Sequence, residues 1–173
     1  MNITGMTPSL LVWKLNIIFQ TIDMSEFSNK KSVTIHAPAN DVWRALIDPQ
    51  MIRQYFFGVE TSGEWKEGNT ILFKGEWQGK KFESNAKVLQ MEDQRLLIYS
   101  YWSTMSGMKN VPENYHIITY YLQKEDDYTI LTMTEENLAN EEMVQASSKL
   151  WDMVFEKLQK LLEKEKYSSV ADR

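Results

Sequence analysis

The sequence predicts an α+β fold with one antiparallel sheet and a long C-terminal helix. Three observations predict it. An early alternating segment precedes two short helical segments, the middle of the chain alternates polar and apolar residues between turns, and the last part carries one apolar stripe at helical spacing. With 173 residues, of which 43% are hydrophobic, the chain is long enough for one domain with a sizeable core.

The first elements are a strand and two short helices. Residues 32–36 alternate polar and apolar side chains, which predicts the first strand. Asn40 is a suitable N-cap for a short helix whose apolar stripe lies within residues 42–47. Asp48 and Pro49 predict that the helix restarts, because aspartate caps a helix and proline favours its first position.

The middle of the chain, from residue 59 to 135, predicts about five or six antiparallel strands separated by turns. Alternate residues share one face within 71–77, 116–122 and 129–135, which indicates a sheet with one face on a core. Glu135 ends the last of these runs on the inner face. We expect a solvated strand end there, because acidic residues are rarely buried.

The last part of the chain predicts one long helix from residue 140 to about residue 164. Apolar residues form one stripe, and Lys, Asp and Glu fill the opposite side. Roughly 25 residues at ~1.5 Å each span about 37 Å, enough to cross a sheet. We therefore expect a domain over residues 30–165, a poorly ordered N-terminal extension over 1–29 and a C-terminal tail over 166–173.

Composition narrows the possible partners. A formal net charge of −5 disfavours nucleic acid, which requires clustered basic residues. The run Leu10–Phe19 is too short and too polar to span a bilayer, and no basic segment precedes it as in a signal peptide. The chain has no cysteine, so we expect no disulfide and a cytoplasmic location.

Sequence motifs indicate neither a cofactor nor a catalytic group. The only two histidines, His36 and His116, are too far apart for a zinc-binding helix. The chain also lacks a phosphate-binding glycine loop and a nucleophile elbow. We therefore expect no metal, no nucleotide cofactor and no membrane span, and we assign no catalytic residue.

Six segments in order resemble one known family: residues 35–46, 48–56, 63–77, 95–102, 118–122 and the helix around Trp151. Residues 30–165 resemble the activator of heat-shock protein 90 ATPase homologue-like family, within the START-like (SRPBCC) superfamily of helix-grip folds. The resemblance implies a curved antiparallel sheet around a long C-terminal helix plus two short helices, often with an apolar cavity between them. It carries over no catalytic motif. The chaperone link of the family belongs to proteins with an additional N-terminal domain, for which residues 1–29 are too short.

The candidate ligand cavity is formed by aromatic residues and one histidine on the inner faces. Packed core is the alternative for each, but tryptophan and tyrosine carry polar tips that suit a pocket. His116 is a candidate polar anchor or general base, and its alternative is a hydrogen-bonded core histidine. We expect Trp65 to be a turn residue folded over the sheet edge. The candidate cavity residues are Trp77, Tyr99, His116, Tyr120, Trp151 and Phe155.

The function predicted from the resemblance and these residues is binding of a small apolar or aromatic molecule between sheet and helix. One alternative is an enzyme of cyclase, aromatase or hydrolase type that uses the same cavity. The other is a chaperone-associated protein-interaction module. A core without a cavity would favour the interaction module.

Overall fold

The structure, a computed structural model, describes residues 27–171, with side chains up to residue 163. The prediction for an N-terminal extension therefore lies outside the described residues, apart from 27–29. The elements in chain order are β1 (Asn29–Ile35), α1 (Ala39–Ile47), α2 (Pro49–Tyr55), β2 (Glu60–Ser62), β3 (Thr70–Trp77), β4 (Lys80–Glu92), β5 (Leu96–Ser103), β6 (His116–Lys124), β7 (Thr129–Glu136) and α3 (Glu141–Ala171).

The strands form one antiparallel sheet in the order β1-β7-β6-β5-β4-β3-β2. The sheet is curved and open, and α3 packs on its inner face, as the sequence predicted. Two short 3₁₀ turns, Thr104–Ser106 and Pro112–Asn114, connect β5 to β6. The predicted helix-grip fold is confirmed.

The first strand and the last helix are both longer than the sequence predicted. β1 starts at Asn29 rather than at residue 32, because β7 pairs with all seven residues of β1. The polar sequence of residues 29–31 hid this extension. α3 begins after Asn140, whose Oδ1 accepts a hydrogen bond from the Met143 backbone N–H, and it continues to Ala171 rather than ending near residue 164.

Of the two N-caps predicted for the short helices, the structure confirms one. Asp48 accepts hydrogen bonds from the backbone N–H groups of Gln50 and Met51, so the predicted restart at Pro49 is confirmed. The prediction that Asn40 caps α1 is wrong. The helix begins at Ala39, and its first turn is closed by backbone bonds to the carbonyl of Pro38 instead of by a side chain.

The core lies between the inner face of the sheet and the apolar stripe of α3. Val154, Leu158 and Leu162 are at most 2% exposed and pack in one cluster with residues of α1, such as Val42. This part of the core is filled. The predicted stripe of α3 is therefore confirmed over the residues whose side chains are described.

A glycine in β3, Gly75, makes room for an aromatic ring on the inner face of the sheet. Gly75 pairs with Phe82 of β4, and the Phe82 ring lies over it. A Cβ at residue 75 would lie 2.8 Å from the ring of Phe82, closer than side-chain contacts allow. The missing side chain thus leaves room for an aromatic ring that lines the cavity described next.

Candidate functional site

A cavity of about 460 Å³ lies between the sheet and the N-terminal half of α3. Its walls come from β3 to β7 and from residues 143–153 of α3, and α2 with the segment that follows it lines another side. Ligand sites in proteins commonly occupy ~300–1,000 Å³. The core is therefore filled around residues 154–162 of α3 but hollow around residues 143–153.

Aromatic side chains form most of the cavity wall. Trp65, Tyr99, Tyr120 and Trp151 make a continuous series, with neighbouring ring centroids 5.6, 5.9 and 5.8 Å apart. Tilted and edge-on rings at such distances attract one another and hold their orientation. The lining aromatic residues are Tyr55, Phe56, Phe57, Trp65, Phe73, Trp77, Phe82, Tyr99, Tyr101, Tyr120 and Trp151.

The structure brings five of the six candidate residues together around this cavity: Trp77, Tyr99, His116, Tyr120 and Trp151. Phe155 is buried one helical turn further on, in ring contact with Trp151, and is not among the lining residues. It belongs to the filled part of the core.

The Trp65 side chain reaches beyond the edge of the sheet to its interior strands. Its ring contacts Phe73 on β3 and Tyr99 on β5, and it lines the cavity. Its indole nitrogen is buried and has no hydrogen-bond partner among the described residues. The expectation that Trp65 only covers the edge of the sheet was too narrow.

Glu135 is 7% exposed and hydrogen-bonded on both oxygens, so the expectation of a solvated strand end was wrong. His116 Nδ1 lies 2.7 Å from Oε1. Ser147 Oγ and Trp151 Nε1 donate to Oε2 at 2.5 and 3.1 Å. A buried acid is tolerated when its oxygens are fully paired, and three donors satisfy that condition here. Glu135, His116, Ser147 and Trp151 all line the cavity, and we call them the polar cluster.

The polar cluster favours the ionised form of Glu135. Burial alone raises the pKa of this carboxyl, but the hydrogen bonds from His116, Ser147 and Trp151 outweigh it and hold the pKa below its ordinary value. Asn29 Nδ2 donates to Ser147 Oγ at 2.8 Å, which leaves the serine hydroxyl hydrogen directed at Glu135. The Glu135 carboxylate on β7 thus binds β6 and α3 directly, and it is connected to β1 through Ser147 and Asn29.

The tyrosines of the cavity are neutral phenols. Burial raises the pKa of both Tyr99 and Tyr120 well above the ordinary value, and burial raises the pKa of Tyr55 as well. The hydroxyl oxygens of Tyr99 and Tyr120 lie 3.4 Å apart, which is longer than an ordinary O–H···O bond. Both hydroxyls are therefore only weakly engaged with each other and can hydrogen-bond another group.

Sequence reasoning missed Glu135 and Ser147 as site residues. Alternation did place Glu135 on the inner face with His116, and that shared face was the available signal. For Ser147 the signal was its spacing of four residues from Trp151, which puts both on one face of α3.

Within residues 27–163, no group of three or more acidic or histidine side chains could hold a metal ion. No helix in the described part of the chain is long and apolar enough to cross a membrane.

Comparisons with known proteins agree with this fold. The family model described as Activator of Hsp90 ATPase homolog 1-like protein matches residues 36–163. No curated protein is significantly similar in sequence. A protein of Cytophaga hutchinsonii, solved in solution, is 33% identical with a TM-score of 0.72, over 84% of this chain and 99% of that chain.

Two further solved structures share the fold at lower identity. The Aha1 dimer of Colwellia psychrerythraea is 18% identical with a TM-score of 0.63, over 79% of this chain and 96% of that chain. CalU16 of Micromonospora echinospora is 23% identical with a TM-score of 0.61, over 82% of this chain and 79% of that chain. The fold and the cavity define a helix-grip protein of the START-like (SRPBCC) class. Within that class, the chain belongs to the family of activator of Hsp90 ATPase homolog 1-like proteins.

Proposed function

We propose that this protein binds a small, mostly apolar, aromatic molecule in the cavity between the sheet and α3. The observation that carries the proposal is the hollow part of the core beside residues 143–153 of α3. A domain that needed only stability would gain by filling this space, because empty apolar volume costs packing energy. The lining instead combines eleven aromatic side chains with one compact polar cluster.

The composition of the wall supports a ligand that is oriented as well as buried. Aromatic rings supply apolar contact, and a small number of polar groups fixes the direction of a bound molecule. Met105 and Met153 also line the cavity, and they are 46% and 39% exposed, so we propose that the ligand enters between them. Methionine adapts its shape to different partners, which suits a point of entry.

A neutral fluorescent probe tests this function. N-phenyl-1-naphthylamine brightens in apolar surroundings, and we expect it to bind the full chain with a saturable increase in emission. Ala146 is an exposed position of α3 that lines the cavity, so Ala146→Trp should place a large ring in the cavity and weaken binding about tenfold.

Gln145→Trp is the matched control, because Gln145 is also exposed on α3 but does not line the cavity. We expect this variant to bind the probe as the parent does. Equal binding by the two variants, or no saturable binding by the parent, would contradict the proposed function.

The polar cluster also supports a second candidate, an enzyme of cyclase, aromatase or hydrolase type. A histidine oriented by a buried carboxylate is a common general base, and His116 with Glu135 has that arrangement at the cavity wall. Turnover of a bound molecule, lost in His116→Asn while binding persists, would favour this candidate. Unchanged ligand after prolonged incubation favours binding alone.

A further inference from the structure

The polar cluster fixes which nitrogen of His116 carries hydrogen. The ionised carboxylate of Glu135 can only accept hydrogen bonds, so the group opposite its Oε1 has to be a donor. His116 Nδ1 is that group, at 2.7 Å. A neutral imidazole carries one hydrogen, so with that hydrogen on Nδ1 the Nε2 atom of neutral His116 is a hydrogen-bond acceptor.

Nε2 of His116 is the nitrogen of the polar cluster that has no hydrogen-bond partner among the described residues. Within the described residues the only hydrogen bond of the His116 ring is the one to Glu135, and the residue lines the cavity. The other members of the cluster direct their donors at Glu135 and have none left for a ligand. The polar cluster thus presents one ring nitrogen to the cavity, held in a fixed orientation by a buried carboxylate.

We propose that the ligand is an aromatic molecule with a phenolic or enolic hydroxyl group, which donates a hydrogen bond to Nε2 of His116. This inference rests on the proposed function and adds the chemical class of the ligand. An aromatic ether or hydrocarbon of the same shape would fill the cavity but leave Nε2 without a partner. Leaving a buried acceptor unpaired weakens binding, so the hydroxyl compound is preferred.

A matched pair of probes tests the inference. 2-Naphthol can donate a hydrogen bond, whereas 2-methoxynaphthalene can only accept one. We expect calorimetric titration of the full chain to show that 2-naphthol binds about tenfold more tightly. In His116→Asn we expect this preference to vanish, because the asparagine amide can still donate to Glu135 but offers no acceptor at the position of Nε2.

His36→Asn is the control, because His36 is the other histidine, is exposed, and does not line the cavity. It should keep the preference of the parent. A second measurement does not depend on any variant: ¹⁵N spectra of the imidazoles should show His116 protonated at Nδ1 and bare at Nε2.

The outcomes separate the two proposals. If the ether binds and 2-naphthol is no tighter, or if Nε2 proves protonated, the hydroxyl preference is overturned while the proposed function stands. If the preference survives in His116→Asn, the assignment to Nε2 is overturned. If neither probe binds, the proposed function fails and this inference fails with it.

Discussion

Replacing the buried carboxylate of Glu135 by an amide should destabilise the fold markedly. Glu135→Gln keeps the shape of the side chain but removes the charge that accepts hydrogen bonds from His116, Ser147 and Trp151. A hydrogen bond to a charged group contributes ~1.5–3 kcal/mol, and one between neutral groups ~0.5–1.5 kcal/mol. Three such bonds lose about 3 kcal/mol together.

Two other effects set the size of the change. A neutral amide is less costly to bury than a carboxylate, which offsets part of the loss. The amide NH₂ must also face one of the three donors, which increases the loss of stability. Because the Glu135 side chain is only 9% exposed, solvent screening is small. We expect a net decrease of about 2 kcal/mol in the free energy of unfolding, measured by urea denaturation at about pH 7.

The pH dependence provides an independent test of the same group. The pKa of Glu135 is lower in the folded protein than in the unfolded chain, so its contribution is complete above the unfolded value of ~4.3. It is lost as the pH falls through the folded value. Besides His116, the titratable side chains that line the cavity are the buried tyrosines, which stay neutral, and Glu76 and Lys149, which are exposed. The difference between Glu135→Gln and the parent should therefore shrink towards zero as the pH falls through the folded pKa of Glu135.

Glu136→Gln is the matched control. Glu136 is the next residue of β7, its side chain points to the opposite face of the sheet, and no hydrogen bond or ion pair with the described residues engages it. We expect a change within about 0.5 kcal/mol. The reasoning would be refuted if Glu135→Gln were as stable as Glu136→Gln at neutral pH, or if its deficit persisted unchanged into acid.

Two further predictions concern stability and are measured by the same urea denaturation. Thr61 Oγ1 is buried without a hydrogen-bond partner in the described part of the chain, so Thr61→Val should stabilise by about 1 kcal/mol. Thr129→Val should instead destabilise by about 1–3 kcal/mol, because Thr129 Oγ1 donates to the Ala37 carbonyl. Changes of the same sign would contradict this pairing. Trp151→Ala should cost about 3 kcal/mol, the low end for a buried tryptophan, because one side of the ring faces the cavity and not packed atoms. A variant as stable as the parent would show that Trp151 is not part of the core.

The sequence predicted the fold well because its signals are local. Two-residue alternation assigned the faces of β3, β6 and β7, and Asp48 before Pro49 marked the start of α2. Each of these depends on residues a few positions apart. The family resemblance then supplied the arrangement of sheet and helix that periodicity alone leaves open.

The site was harder to predict because it depends on contacts between distant residues. Glu135 on β7 meets His116 from β6 and Ser147 and Trp151 from α3, and only the register of β6 and β7 and the position of α3 bring them together. Likewise, aromatic residues on an inner face give the same pattern whether they fill a core or line a cavity. Phe155 and Trp151 lie on one stripe, yet only Trp151 lines the cavity.

The most direct test of the account is an isotope-filtered NOE spectrum of the protein saturated with 2-methoxynaphthalene. A ligand in the cavity predicts cross-peaks to side-chain protons of Trp77, Tyr120 and Met143, which line it, and none to Leu158 in the filled core. Cross-peaks confined to exposed apolar side chains away from the cavity, such as Leu89, would contradict the account.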